Sequence, residues 1–239
     1  MTDTDKASEN AVLAALFESC EDHAVLGEES AALMGNVDSD YVWVVDPLDG
    51  TTNFAHGYAP FAVSVGLLHH DKPLVACIIE FTGGRHGWAT REWVATKGRG
   101  CSCNGHQVHV SNAGSIQEAL FVTGFGYNHD EAWKQNMQLF QHFTDQSRGV
   151  RRLGAAAVDL CHVGLGIVDG YWEFNLSPWD VCAGWLMVEE AGGRVTTMDG
   201  RDFSVWEKSV LATNGVLHDE LLAVTAGPTR ALQLEAVRV

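Results

Sequence analysis

The chain begins with a helical spacing of apolar residues and continues with strand-like runs. The helical spacing predicts a helix over residues 5–18, with Thr4 or Asp5 as its N-cap. Its apolar positions are Val12, Leu13, Leu16 and Phe17. Apolar runs then predict strands at 41–45, 61–68, 74–81 and 92–96. Together with the turn Asn104-Gly105, which favours a hairpin between 101–103 and 107–110, these runs predict a largely antiparallel sheet.

The second half of the chain alternates between helical and strand patterns. Helices are predicted near 130–143, 154–165 and 179–191, and strands near 169–174 and 194–197. This alternation is typical of an α/β arrangement. The pattern changes at Ser147-Arg148-Gly149, which predicts an N-terminal α+β domain at 1–147 and a C-terminal α/β domain at 148–239.

Charge narrows the classes of function. The 239 residues include 31 acidic and 15 basic residues, a net charge of −16 at pH 7. This balance argues against nucleic acid or an anionic membrane as a partner, since both require a basic surface. No apolar run approaches the length of a membrane span. The six cysteines are scattered, four of them in apolar runs, which favours reduced thiols in a cytosol-like compartment.

The most informative stretch is Val42–Phe54, an apolar strand that leads directly into acidic residues. Pro47 is expected to end the strand pairing, and Gly50 permits a tight turn. Asp46 and Asp49, with the Leu48 carbonyl between them, are oxygen ligands of the kind that Mg²⁺ prefers. An Asp-Pro, Asp-Gly turn in which the aspartates only satisfy local amides remains an equal alternative at this point.

Two more acidic motifs bear on that choice. Gly27-Glu28-Glu29-Ser30 follows a short apolar run and, taken alone, is typical of a solvated turn. Ser177-Pro178-Trp179-Asp180 opens a helix and has the pattern of a capping box, although a helix start also suits phosphate or a metal ligand. Cys101-x-Cys103 with His106 and His109 fits no common zinc spacing, so the hairpin is preferred there.

The motifs GEES, VVDPLDGTTNF and PWDVCAGWLMVEEAGG, in this order, resemble the inositol monophosphatase family over nearly the whole chain. The run RRLGAAAVD and the segment Phe125–Tyr127 are most similar to plant and cyanobacterial members. The resemblance implies a layered αβαβα sandwich of the inositol monophosphatase and fructose-1,6-bisphosphatase type. It also implies a Mg²⁺-dependent, lithium-sensitive phosphatase of a small polyol or sugar phosphate, often dimeric, in the cytoplasm or plastid stroma.

The resemblance also implies roles for individual residues. Glu28, Asp46 and the Leu48 carbonyl would hold one Mg²⁺, and Asp46, Asp49 and Asp180 a second. Thr51 paired with Glu28 would activate water, with Asp49 counted among the catalytic residues. The substrate would contact Asp49, Gly50, Thr51, Gly154, Ala155, Ala156, Glu173 and Asp180.

Two departures from the family pattern are visible. The chain starts after a helical segment that the family usually has, including a lysine near the metals. A third, weaker Mg²⁺ near Asp5 would therefore lack its partners. Ala155 stands where a hydroxyl residue is common, so one substrate hydrogen bond is expected to be lost or remade.

Several alternatives stay open. Inositol 1-phosphate is the expected substrate, while histidinol phosphate, fructose 1,6-bisphosphate and 3′-phosphoadenosine 5′-phosphate belong to relatives. A haloacid-dehalogenase phosphatase needs its two aspartates two residues apart, whereas Asp46 and Asp49 are three apart. A non-enzymatic, metal-binding regulatory module is the remaining class.

Overall fold

The computed structural model describes residues 2–84 and 86–237, which form thirteen strands, six α-helices and a 3₁₀ turn at Ile116–Glu118. The helices are α1 (Asp3–Ser19), α2 (Thr51–His56), α3 (Glu131–Gln146), α4 (Ala156–Gly164), α5 (Pro178–Glu190) and α6 (His218–Ala231). The strands of the first half are β1 (Ala24–Gly27), β2 (Leu33–Gly35), β3 (Tyr41–Asp49), β4 (Phe61–His69), β5 (Lys72–Gly84), β6 (Gly87–Thr96), β7 (Gly100–Cys103) and β8 (His106–Val108). Those that follow are β9 (Phe121–Thr123), β10 (Val150–Arg151), β11 (Gly170–Phe174), β12 (Arg194–Thr196) and β13 (Ser209–Thr213).

The strands form two sheets. The first has eight strands in the order β2-β1-β3-β4-β5-β6-β7-β8 and is antiparallel except for the pair β1 and β3. The second has the order β10-β9-β11-β13-β12, with parallel pairing on one side of β11 and antiparallel pairing on the other. The largely antiparallel sheet of the first half is therefore as predicted, and the mixed pairing of the second sheet was not specified by the sequence.

Helices α4 and α5 lie between the sheets and contribute to the apolar clusters that contact each of them. The second sheet packs on α3 and α6 through a third apolar cluster, whereas α1 packs along β3 and α2 along β4. This is the predicted layered αβαβα sandwich.

The boundaries differ from the predicted ones at two informative places. Thr2, rather than Thr4 or Asp5, is the N-cap of α1, and its hydroxyl accepts from the amides of Thr4 and Asp5. Pro47 does not end β3: the pairing with β4 shifts register between Asp46 and Asp49 and then resumes. A bulge of this kind re-aims side chains without ending the strand.

The predicted boundary at residue 147 falls within the second sheet. That sheet takes β9 from before the boundary and its other four strands from after it. The division into two domains at that point stays a prediction.

The predicted hairpin at Asn104-Gly105 is confirmed. Asn104 and Gly105 both have positive φ, 51° and 74°, and connect β7 to β8 as a hairpin. The cysteines form no disulfide among the described residues. None of the helices in residues 2–84 and 86–237 is long and apolar enough to cross a membrane.

Candidate active site

Every residue proposed from the sequence as a metal ligand, catalytic group or substrate contact lines one cavity of about 600 Å³. The cavity lies where the end of β3 meets the starts of α2, α4 and α5. The lining residues that were predicted are Glu28, Asp46, Leu48, Asp49, Gly50, Thr51, Gly154, Ala155, Ala156, Glu173 and Asp180. Their individual roles stay predictions.

The bulge at the end of β3 places Asp46 at the bottom of this cavity. Asp46 is 1 % exposed, and its Oδ1 accepts from the Leu48 amide at 2.9 Å. Burial raises the pKa of Asp46 well above its usual range, and the carboxylates of Asp49, Glu28 and Asp180 raise it further. Asp46 is therefore costly to ionise without a nearby cation.

Asp49 connects the two halves of the site. Its carboxylate oxygens accept from the amides of Ala156 at 3.2 Å and Ala157 at 2.8 Å, at the first turn of α4. Ala155, the N-cap of α4, has no side-chain oxygen, so Asp49 caps this helix from a distant part of the chain. Burial raises the pKa of Asp49 to about 7, although these two amides act in the opposite direction.

Gly50 allows the close approach on which this geometry depends. Its φ is 86°, and a Cβ there would lie 3.2 Å from both the Ala155 Cβ and the Gly154 carbonyl oxygen. A side chain at residue 50 would therefore be strained in its backbone and crowded against the start of α4.

Asp180 and Glu28 complete the acidic wall. Asp180 is in the predicted capping box, accepting from the Ser177 amide at 2.7 Å. Burial raises its pKa well above the usual range, as do the charges of Asp49, Glu28 and Glu173. Burial likewise raises the pKa of Glu28, although a side-chain hydrogen bond to Asp46 lowers it.

These acids have the chemistry of a divalent-cation site. Carboxyl and carbonyl oxygens are the donors that Mg²⁺ prefers. The carboxyl groups of half-buried Glu28 and buried Asp46 are within hydrogen-bonding reach of each other, an arrangement that favours a shared proton or a cation. Across residues 2–84 and 86–237, no three acidic, His or Cys side chains converge on one point, so the ligand set stays a prediction.

The hydroxyl of Thr51 has a partner that the sequence analysis did not assign. It lies 3.3 Å from Asp5 Oδ1 and 3.0 Å from the Leu48 carbonyl oxygen. Neither acceptor is Glu28, and the predicted action of Thr51 and Glu28 on a water molecule stays a prediction. Asp5 is 1 % exposed although it lies on the first turn of α1, where sequence patterns suggest a solvated capping residue.

Glu173 reaches the cavity from β11, a strand of the second sheet. It is 8 % exposed, and its Oε2 accepts from the Tyr171 hydroxyl at 2.7 Å. Burial raises the pKa of Glu173 to about 7. Gly124 makes room for it, because a Cβ at that residue would lie 2.0 Å from Glu173 Oε2.

Two further lining residues were noted in the sequence only as part of the resemblance. Arg152 is the only Lys or Arg among the described residues that line the cavity. Tyr127 is 85 % exposed, and its hydroxyl lies 3.0 Å from that of Thr52 across the mouth of the cavity. In the sequence, Arg152 stands out only as part of the pair Arg151-Arg152. The hydrophobic periodicity does not distinguish Tyr127 from its neighbours.

Comparison with known proteins shows to which family the chain is similar. A model of the inositol monophosphatase family matches residues 1–228. The chain is 56 % identical over 237 residues to Phosphatase IMPL1, chloroplastic, of Arabidopsis thaliana, covering 99 % of this chain and 64 % of that protein. It is 39 % identical over 239 residues to the inositol-1-monophosphatase of Synechocystis sp., covering 100 % of this chain and 81 % of that protein.

The fold comparison points the same way. The structure of inositol monophosphatase from Anabaena (Nostoc) sp. PCC 7120 superposes with a TM-score of 0.84 at 40 % identity. The match covers 98 % of this chain and 87 % of the Anabaena chain. The likeness therefore extends through both sheets and the helices between them.

Proposed function

The chain belongs to the inositol monophosphatase family of phosphatases, and from this premise we propose that it hydrolyses a small phosphorylated polyol or sugar with Mg²⁺. The first candidate substrate is myo-inositol 1-phosphate. The supporting observation is the cavity itself: five carboxyl groups face one solvent-accessible space beside a single guanidinium, that of Arg152. Acids in such an arrangement cannot receive a phosphate unless cations come with it.

Two Mg²⁺ ions are proposed. Their protein ligands would be Glu28, Asp46, the Leu48 carbonyl, Asp49 and Asp180. When bound, the ions supply positive charge that activates water and neutralises the leaving oxygen.

The protein's own part in the reaction begins at Thr51. When its hydroxyl hydrogen points to Asp5, the Thr51 oxygen is free to accept a hydrogen bond from a water molecule. That water oxygen would then form the new bond to phosphorus, while the bond from phosphorus to the alcohol oxygen breaks and the alcohol oxygen takes up a proton. Asp5 and Thr51 orient the water and receive its proton, so they act as a general-base pair.

Glu173 is proposed to select the alcohol part of the substrate. Fixed by the Tyr171 hydroxyl, its carboxyl group on β11 can bond to a polyol hydroxyl in the cavity. Ala155, at the start of α4, offers the cavity no hydroxyl. A substrate with several hydroxyl groups suits this cavity better than an apolar one.

A substrate panel tests the proposal. Inositol 1-phosphate, histidinol phosphate, fructose 1,6-bisphosphate and 3′-phosphoadenosine 5′-phosphate are compared by kcat/KM for Mg²⁺-dependent phosphate release. We expect inositol 1-phosphate to rank first. If none of the four substrates is hydrolysed in the presence of Mg²⁺, the proposed activity is wrong. If a stable acyl-phosphate forms on Asp46, the proposed attack by water is wrong.

Lithium sensitivity, a homodimeric state and a cytoplasmic or plastid location belong to the same proposal. LiCl should lower the rate at fixed Mg²⁺, whereas NaCl and KCl at equal ionic strength should not. The mass in solution from light scattering checks the dimer.

A further inference from the structure

Helix α1 buries carboxyl groups rather than apolar side chains. Its two buried residues are Asp5 and Glu9, which lie four positions apart and therefore on one face. Val12, Leu13, Leu16 and Phe17 are only half-buried. Because carboxylates are seldom buried without partners, both acids need a reason to lie inside. For Asp5 the partners are the Thr2 amide and the Thr51 hydroxyl, whereas Glu9 contacts neither of them and does not line the cavity.

The contacts of Glu9 all lie in the turn that follows β1. Its Oε1 lies 3.2 Å from the Glu29 amide nitrogen and 3.4 Å from that of Ser30. The Ser30 hydroxyl lies 3.5 Å from the same oxygen. One carboxylate thus faces two successive amides and a hydroxyl, an arrangement in which the negative charge strengthens each bond.

This turn also carries Glu28, one of the proposed metal ligands. The Glu28 amide donates to the Val45 carbonyl at 3.1 Å, which ties one side of the turn to β3. Glu9 ties the following two residues to α1. The Ser8 hydroxyl donates to the Pro47 carbonyl at 2.8 Å, so the same helix also holds the bulge of β3.

Gly27 shows that room is made for the Glu9 carboxylate. A Cβ at residue 27 would lie 2.0 Å from Glu9 Oε1 and 3.0 Å from its Cδ. Gly27 lies within β1 and is absent from the glycines with positive φ, so its backbone conformation does not demand glycine. The missing side chain serves the approach of Glu9.

We propose that Glu9 is a positioning residue that fixes the Gly27–Ser30 turn, and thereby sets the Glu28 carboxyl group against Asp46 for cation binding. The inference rests on the proposed function, because it takes Glu28 as a metal ligand. It assigns Glu9 no contact with substrate or metal. Its consequence is that the affinity for a divalent cation depends on a side chain outside the cavity.

The test is Mn²⁺ binding to the metal-free protein, followed by electron paramagnetic resonance and by calorimetry. Glu9→Ala should weaken Mn²⁺ binding about 10- to 100-fold, the usual range for residues that orient metal ligands. Glu9→Gln retains an acceptor oxygen and should lose less. Gly27→Ala displaces the carboxylate without changing it and should resemble Glu9→Ala.

A matched control comes from the same helix. Glu18 is exposed near the end of α1, and Glu18→Gln should bind Mn²⁺ like the wild type. Saturating Mg²⁺ should recover most of kcat in Glu9→Gln, which a catalytic loss would not allow. Thermal unfolding in EDTA identifies variants that do not fold; if Glu9→Ala is among them, Glu9→Gln and Gly27→Ala decide the question.

Glu28→Gln separates this inference from the function on which it rests. If Glu28→Gln weakens Mn²⁺ binding but folded Glu9 and Gly27 variants bind like the wild type, the positioning role is wrong and the metal site stands. If Glu28→Gln itself binds Mn²⁺ like the wild type, the proposed ligand set is wrong, and the role of Glu9 falls with it.

Discussion

Helices α1 and α5 both contact β3, but they bury opposite kinds of side chain. In α5 the buried residues include Val181, Leu186, Met187 and Val188, and the helix contributes to the apolar clusters between the two sheets. In α1 the buried residues are Asp5 and Glu9. Burial of apolar surface stabilises a fold, whereas burial of carboxylates costs free energy. The comparison indicates that the buried face of α5 serves stability, although its first turn carries Asp180, whereas the buried face of α1 serves the geometry of the site.

The close packing of α4 on α5 supports this division. A Cβ at Gly184 would lie 2.5 Å from Leu160 Cδ1, so these helices approach too closely to admit a side chain. Between α1 and β1, the equivalent close approach is that of a Glu9 carboxyl oxygen to Gly27. One contact excludes water from an apolar core, and the other positions an acidic turn.

The largest effect is expected on the cavity side, from Asp46→Asn. Mutation of a residue that only orients a metal ligand typically weakens metal binding about 10- to 100-fold. Asp46 is proposed as a ligand of both ions, so its loss should lower kcat/KM more than about 100-fold at any Mg²⁺ concentration. The Tm in EDTA should not fall, because burial raises the pKa of Asp46 and the amide is a neutral replacement that keeps an oxygen for the Leu48 amide. Phosphate release and calorimetric unfolding measure the two quantities.

Asp38 is an exposed aspartate on the preceding loop, and Asp38→Asn should leave both quantities unchanged. Wild-type turnover in Asp46→Asn would show that the acidic cavity is not the catalytic site.

The next largest effect tests the contact from α1 to Thr51. Thr51→Ala removes the hydroxyl that joins Asp5 to the cavity, and should lower kcat by about 100-fold or more while KM changes little. Thr51→Ser keeps the hydroxyl and should restore most of the rate. Steady-state kinetics at saturating Mg²⁺ make the measurement, and a pure rise in KM would count against a role in orienting water.

The sequence predicted α5 and the acidic motifs better than it predicted α1. Asp46 and Asp180 stand out because one follows an apolar strand and the other opens a helix, both local patterns. The bonds from Asp5 to Thr51 and from Asp49 to α4 join residues 46 and about 107 positions apart, which periodicity cannot detect. In α1 the apolar spacing drew attention to Val12, although the buried side chains are acids.

In the apolar core, Leu186→Ala should lower the free energy of unfolding and leave the affinity for Mg²⁺ unchanged. Leu186 is fully buried in α5, so we expect a loss of about 2–5 kcal/mol in the free energy of unfolding. Urea unfolding measures the loss, and the Mg²⁺ concentration for half-maximal rate of the folded protein should not change. Leu33, 36 % exposed on β2, is the control, since Leu33→Ala should cost far less. A raised Mg²⁺ requirement in Leu186→Ala would mean that the two helices are not separable in function.

The smallest expected effect concerns Glu173, a buried carboxyl group of the cavity that is not a proposed metal ligand. Burial raises its pKa from 4.5 to about 7. Below about pH 4.5 the group is protonated in both the folded and the unfolded chain; between there and pH 7 only the folded chain keeps the proton. Its contribution to stability is therefore complete at low pH and is lost as the pH rises to about 7. At 1.36 kcal/mol for each pKa unit, the loss is at most about 3 kcal/mol. Urea unfolding in EDTA from pH 5 to pH 8 should show this fall in the wild type, and Glu173→Gln should reduce it because glutamine does not titrate.

The fall should persist in part, since burial also raises the pKa of Asp159 and Asp180. Glu118 is exposed, and Glu118→Gln should keep the wild-type slope. Equal slopes in the wild type and Glu173→Gln would show that Glu173 is ionised in the metal-free fold, and that its wall of the cavity is more solvated than its 8 % exposure implies.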